Sequence, residues 1–196
     1  MTTASTPLPR PLVLADVFPA IRMRHVVLVA GGVLLMALLA QVAVPVPGSP
    51  VPVTGQTLGV VLTAAALGPT RGTLVQVFYI LAGALGLPFY SEASHGVEVV
   101  TGATGGYLIG FIPAAYLIGL AAKRGADRSV LTAVPLFAAG QVAIFAVGVP
   151  WLALTTGMNA SQALDAGFYP FILGGIVKAA IAAVVLGGAW KLAHRD

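Results

Sequence analysis

Residues 168–190 read FYPFILGGIVKAAIAAVVLGGAW, a stretch long and apolar enough to cross a bilayer except for Lys178 at its middle. Twelve residues without Asp, Glu, Lys or Arg precede the lysine (166–177), and twelve follow it (179–190). A lysine at the centre of a membrane helix costs about 2.5–3.5 kcal/mol on insertion scales, so it needs a physical reason to be there. That reason depends on whether the rest of the chain also lies in a membrane.

The composition says that it does. Of 196 residues, 58% are hydrophobic and only 8% are charged. Charge-free intervals of 46 residues (Arg24 to Arg71), 20 (Arg71 to Glu92), 24 (Glu98 to Lys123) and 36 (Arg128 to Asp165) follow one another. A helix needs about 20 apolar residues to span the hydrocarbon core, so the first interval holds two spans and the next two hold one each. Runs of Ala, Leu, Val and Gly without strict alternation favour helices over a barrel. The expectation is an all-α membrane protein with six transmembrane helices near 25–45, 55–69, 72–87, 102–122, 130–149 and 169–190.

The basic residues orient those spans. With six spans, Arg10, Arg22, Arg24, Arg71, Lys123, Arg124, Arg128, Lys191 and Arg195 fall on one side, and the tenth basic residue is Lys178 itself. The opposite loops hold only Glu92, Glu98 and Asp165. Lys and Arg stay on the cytoplasmic side, which predicts cytoplasmic termini in a multi-pass protein of the cell membrane. The net charge of +4 is then a topology signal and needs no nucleic-acid partner. Residues 1–21 are expected as a cytoplasmic or interfacial segment rather than a cleaved leader, and 22–196 as a single transmembrane domain. With no cysteine there is no disulfide and no thiolate chemistry.

Between the first two spans Pro45, Pro47, Pro50 and Pro52 surround Gly48-Ser49, which reads as a stiff extended outer loop. Gly68-Pro69-Thr70-Arg71-Gly72 reads as a tight turn between the second and third spans. The outer stretch GLPFYSEASHGVEVVTGATGGYL combines aromatics, carboxylates and glycines, whose exposed N–H groups suit a ligand. Small residues every fourth position, Gly106-Gly110-Ala114 and Gly175-Ala179-Ala183-Gly187, mark close helix contacts. The outer loop expected from Pro150 to Gly167 carries Trp151, Asn159, Ser161, Gln162 and Asp165.

Lys178 has three readings: it snorkels, it is buried and neutral, or it faces an internal cavity and holds an anion. It stands about 12 Å from Pro170 along the helix at 1.5 Å per residue, too deep for easy snorkelling. An intramembrane ionisable group is a functional-site candidate by default, and no Asp or Glu stands in any span as its partner. Gln56, Tyr79, Tyr90 and Tyr107 lie toward the outer span ends with other aromatics; for any single tyrosine an interfacial aromatic belt is the better explanation. Enzyme signatures are missing: there is no GxxxxGK[ST], HExxH or GxSxG, and His25, His95 and His194 sit in separate segments. No cofactor or metal is implied, and ATP-driven work would belong to another polypeptide.

The segments PVPGSPVPVTGQTLGV, LGPTRG, YILAGALGLPFY, TGATGGYLIGF and PFILGGIVKAA, in that order, resemble the BioY family of biotin-binding S components of energy-coupling factor (ECF) transporters. The resemblance covers about Gln41 to Ala180. It implies a six-helix S-component fold, a vitamin bound under the outer loops, and a partner module of one coupling protein and two ATPases, although some members lack that module. By resemblance Lys178 takes the biotin carboxylate or another acceptor oxygen. Gln56, Tyr79, Gly105, Gly106 and Tyr107 match other family motif positions, which implies that they shape the pocket. The aspartate that the family carries three residues before that lysine is Gly175 here, so Glu92, Glu98 or Asp165 is expected to supply the missing acceptor for the ureido N–H groups. The alternatives are a self-sufficient homo-oligomeric carrier, a transporter of a biotin relative, and a small intramembrane enzyme or assembly factor using Lys178 as a base.

Overall fold

The computed structural model describes residues 13–16 and 24–193; the segment expected over 1–21 lies outside them but for residues 13–16, with one turn at Leu14–Asp16. Helix α1 covers Arg24–Ala40. Two short strands, β1 (Ala43–Val44) and β2 (Val53–Thr54), pair antiparallel with Ala43 opposite Thr54. The proline-rich stretch between them, unable to form a helix, is the loop of this ribbon. Then follow α2 (Gln56–Ala84), the short α3 (Val97–Thr101), α4 (Gly105–Lys123), α5 (Val130–Thr156), α6 (Ala160–Gly167) and α7 (Tyr169–Ala193).

Helix α2 is broken where the sequence placed its turn. Gly68 sits at φ 83°, ψ 178°, left-handed backbone that favours glycine, and Pro69 follows it. The two halves fold back on each other. Gln76 Nε2 donates to Thr63 Oγ1 at 3.0 Å and Gln56 Nε2 to Tyr79 Oη at 2.7 Å, while a Cβ on Gly72 would lie 2.7 Å from the Ala64 Cα. Apolar packing alone leaves helices free to slide in lipid, so these buried amide–hydroxyl pairs help fix the hairpin's register.

Among the described residues, four helical stretches are long and apolar enough to cross a membrane: Gln56–Ala84, Gly105–Lys123, Val130–Thr156 and Ala160–Ala193. His25–Ala40 is a shorter apolar helix. Large apolar side chains such as Leu131 and Leu154 on α5 and Leu173 on α7 are more than 70% exposed, a surface suited to lipid.

One boundary differs from the sequence reading. The outer loop expected from Pro150 starts only at Gly157, because α5 runs through Pro150 to Thr156. Proline removes one backbone donor and is tolerated inside membrane helices. Asn159 and Gln162 of that loop cap α6: Asn159 Oδ1 accepts from Gln162 N and Gln162 Oε1 from Asn159 N, both at 3.0 Å.

Small residues bring the helices together. A Cβ on Gly110 would meet the Ile144 backbone of α5 at 2.9 Å, and one on Gly119 would meet Pro69 N at 2.6 Å. On α7, Gly175, Ala179 and Ala183 are buried, but Gly187 has nothing within 4 Å, so that contact line stops short of the helix end. Most described basic residues gather at one end of the molecule. There Arg71 Nε donates to His25 Nδ1 at 2.9 Å, the Arg128 guanidinium lies 4.6 Å over the Trp190 ring, and Trp190 Nε1 donates to Asp127 Oδ2 at 2.8 Å. The ribbon and the connection between α2 and α4 occupy the other end.

Candidate functional site

Below the ribbon, at the end of the molecule opposite Arg71 and Arg128, lies a small, partly open cavity. Its walls come from the ribbon, the start of α2, the α2–α4 connection, and the facing sides of α4, α5 and α7. Three rings form one apolar wall. Tyr107 stacks with Phe171 (centroids 6.2 Å apart, 26° between planes), and Phe145 meets both edge-on at 6.3 and 6.1 Å. Tyr107 is fixed there because its hydroxyl donates to the Gly167 carbonyl at 2.9 Å.

Lys178, half-buried, lines the same cavity two turns along α7 from Phe171. Its Nζ donates to the Thr54 carbonyl at 2.7 Å and to Thr57 Oγ1 at 3.0 Å. Phe171 and Lys178 are seven residues apart on α7, two turns, and therefore share the face that lines the cavity. No Asp or Glu lines the cavity among the described residues, so the ammonium has neutral oxygens as partners but no countercharge there.

A chain of hydrogen bonds starts at the same threonine. Thr54 Oγ1 donates to Gln56 Oε1 at 2.7 Å, Gln56 Nε2 to Tyr79 Oη at 2.7 Å, and Tyr79 Oη to the Phe89 carbonyl at 3.0 Å. Both sides of the Gln56 amide are thus used, as burial demands. Tyr90 packs edge-on to Tyr79 at 5.7 Å and donates from its hydroxyl to the Ile80 carbonyl at 2.6 Å. Burial pushes the Tyr90 phenol up to about 12, so it stays a neutral donor. Gln41 ties the neighbouring loop down, accepting from Ala93 N at 3.0 Å and donating to the Tyr90 carbonyl at 3.1 Å.

Of the residues singled out from sequence, Gln56, Tyr90, Tyr107 and Lys178 line the cavity, and Tyr79 stands behind Gln56. Gly105 and Gly106 lie outside the lining. A Cβ on Gly105 would overlap the Val100 carbonyl and one on Gly106 the Trp151 side chain, so these glycines permit close approach. Glu92 and Glu98 are exposed neighbours of the lining residues Ser91 and Val99. Asp165 borders a separate outer depression with Pro47, Gly48 and Gln162.

Sequence reasoning missed Thr54, Thr57, Phe145, Phe171 and Gln141. The seven-residue spacing to Lys178 is the signal that would have found Phe171. Gln141, only 8% exposed on α5, faces Gly175, where a Cβ would lie 3.3 Å from its Nε2. The amide thus stands against the space that a side chain at 175 would fill.

The arrangement can hold an amphipathic molecule with an anionic or strongly accepting group at the lysine and an apolar ring against the aromatics. Three comparisons bear on which molecule that is. Residues 11–195 match the sequence profile of the BioY family. The chain is 35% identical over 158 residues to the biotin transporter BioY of Thermotoga maritima, covering 81% of this chain and 92% of that one. It is 38% identical over 162 residues to the probable biotin transporter BioY of Pyrococcus horikoshii, covering 83% and 93%. The fold matches the crystal structure of an S-component for biotin from an ECF-type ABC transporter, with a TM-score of 0.77 at 22% identity over 88% of this chain and 95% of that one. With the profile covering nearly the whole chain and relatives above 30% identity along most of their length, the chain belongs to the BioY family.

Proposed function

We propose that this chain is the substrate-binding membrane subunit for biotin uptake, and that the cavity beneath the ribbon is its biotin site. Lys178 carries the reading: an ammonium among apolar walls, with no carboxylate lining the cavity, is matched by a ligand that brings its own acceptor oxygens. Biotin brings a carboxylate, an apolar thiophane ring and a ureido head. The carboxylate goes to Lys178, and the rings go against Tyr107, Phe145 and Phe171. Gln56, Tyr79, Tyr90, Gly105 and Gly106 shape the pocket around them. The acceptor for the ureido N–H groups comes from Glu92 or Glu98, which flank lining residues, or from Asp165. Unchanged biotin affinity in Glu92→Gln, Glu98→Gln and Asp165→Asn alike removes that assignment.

The molecule crosses the cell membrane six times with both termini cytoplasmic. Counting the halves of α2 separately on either side of Gly68, with α1, α4, α5 and α7, supports six spans. The end bearing Arg71, Arg128 and the close of α7 faces the cytoplasm, since basic residues stay inside. Energy comes from an ECF coupling protein and two ATPase subunits, a partnership supported by the solved relative's description as an S-component of such a transporter.

The test is equilibrium binding of labelled biotin to the purified protein beside Lys178→Met. A hydrogen bond to a charged group contributes about 1.5–3 kcal/mol, so the variant is expected to bind about 10- to 150-fold more weakly. Saturable binding without turnover also separates a carrier from an intramembrane enzyme. A folded wild-type protein that binds no biotin would refute the proposal.

A further inference from the structure

Two of the three Lys178 N–H donors are occupied, by the Thr54 carbonyl and by Thr57 Oγ1. The third remains for a ligand. Thr57 lines the same cavity, and its hydroxyl oxygen already accepts from the ammonium. An oxygen accepting a hydrogen bond from a cation turns its own hydrogen away from that cation. Elsewhere in the protein such a hydrogen goes back to the helix: Thr63, Thr101 and Thr156 each donate to the carbonyl four residues earlier. The Thr57 hydroxyl makes no such bond, and among the described residues its one hydrogen bond is the one it accepts from Lys178. Its place in the first turn of α2 explains this. The residues three and four back, Thr54 and Val53, belong to β2 rather than to a preceding helical turn.

From this geometry we infer that Thr57 is a second ligand donor, and that Lys178 Nζ and Thr57 Oγ1, 3.0 Å apart, form a two-point clamp for the two oxygens of a carboxylate. The inference rests on the reading that Lys178 takes the biotin carboxylate. It adds a specificity residue that touches the ligand and that charge patterning could not reveal. The ammonium supplies charge, while the hydroxyl supplies direction. Together they favour a planar pair of acceptor oxygens over a carboxamide, whose NH₂ would confront a donor at one of the two points. The same hydroxyl holds the ammonium at the cavity wall, so the two donors are coupled rather than additive.

Binding of biotin and of biotinamide, its neutral carboxamide, is measured for wild type, Thr57→Val, Thr57→Ser and Lys178→Met. Thr57→Val keeps the shape and removes the hydroxyl; it is expected to bind biotin about tenfold more weakly and biotinamide nearly as well as wild type, so the preference shrinks. Thr57→Ser restores the hydroxyl and the preference. Adding Thr57→Val to Lys178→Met weakens biotin binding by less than it does alone. Melting temperatures in detergent identify folded variants, and Thr57→Ala gives the same readout if Val is destabilising. A wild-type preference for biotin that survives in both Thr57→Val and Thr57→Ala overturns the clamp alone, as does an equal loss of both ligands. A folded wild type that binds biotin no better than biotinamide, or not at all, overturns the carboxylate reading of Lys178 and the clamp with it.

Discussion

Replacing Tyr79 with phenylalanine removes one oxygen atom from the centre of the outer hydrogen-bond chain and leaves the ring in place. The edge-on contact with Tyr90 at 5.7 Å is unaffected, and no cavity larger than the lost hydroxyl opens. Two partners are stranded. Gln56 Nε2, on a side chain only 7% exposed, loses an acceptor at 2.7 Å, and the Phe89 carbonyl loses a donor at 3.0 Å. An unsatisfied buried polar group costs about 1–3 kcal/mol, with the loop carbonyl at the low end because solvent can reach it. The sum is about 2 kcal/mol, or about 30-fold in the folding equilibrium. A chain of this length shifts its melting temperature by about 2–4 °C per kcal/mol, so a decrease of about 4–8 °C is expected in detergent. Adding Gln56→Met to Tyr79→Phe removes the stranded amide as well, and is expected to recover part of the loss, since deleting both partners of a buried pair is far less costly than deleting one. A melting temperature within 1 °C of wild type for Tyr79→Phe, with no recovery in the double variant, would mean that the chain from Thr54 to Phe89 does not contribute to stability.

Other expectations concern the rest of the frame. Gly119→Ala drives a methyl group against the backbone of Gly68 and Pro69, which has no rotamer to escape with, and is expected to cost about 1–3 kcal/mol of stability; Gly187→Ala, with open space around it, serves as the control and is expected to melt with wild type. Gly68→Ala places a side chain at φ 83°, ψ 178°, and is expected to lower the melting temperature by several degrees, about 1–3 kcal/mol of backbone strain, without changing biotin affinity in the folded fraction. Asp127 is fully buried, and burial raises its carboxyl above the usual carboxylate range despite the Trp190 indole and the Arg128 guanidinium. A carboxyl whose folded-state pKa is raised stabilises the fold while protonated and loses that contribution as pH rises through the folded value. Asp127→Asn keeps an acceptor for Trp190 and never ionises, so its melting temperature is expected to gain on wild type as pH rises above the carboxylate range. A constant difference across pH would show that Asp127 is not desolvated as described.

Much of this architecture is legible in the sequence because a bilayer makes apolarity a one-dimensional property. Charge-free intervals of fixed length, a basic bias in alternate loops and a Gly-Pro break need no knowledge of the partners each helix finds. Lys178 stood out for the same reason, as one charge in the wrong solvent. What surrounds it was not legible. Thr54 and Thr57 lie 124 and 121 residues away along the chain, and nothing in their local sequence distinguishes them from threonines that merely bond their own helix. Glu92, Glu98 and Asp165 looked as eligible as Gln56 by residue type, yet loop path and helix rotation leave these three outside the cavity lining and Gln56 within it. Gln141 faces Gly175 only because α5 and α7 pack with those faces together. The sequence by itself determined which segments are apolar enough to enter a membrane and that one of them carries a lysine. Only the packing of the helices decided which neutral oxygens meet that ammonium, because side-chain contacts between helices depend on rotation and register, which apolar composition does not specify.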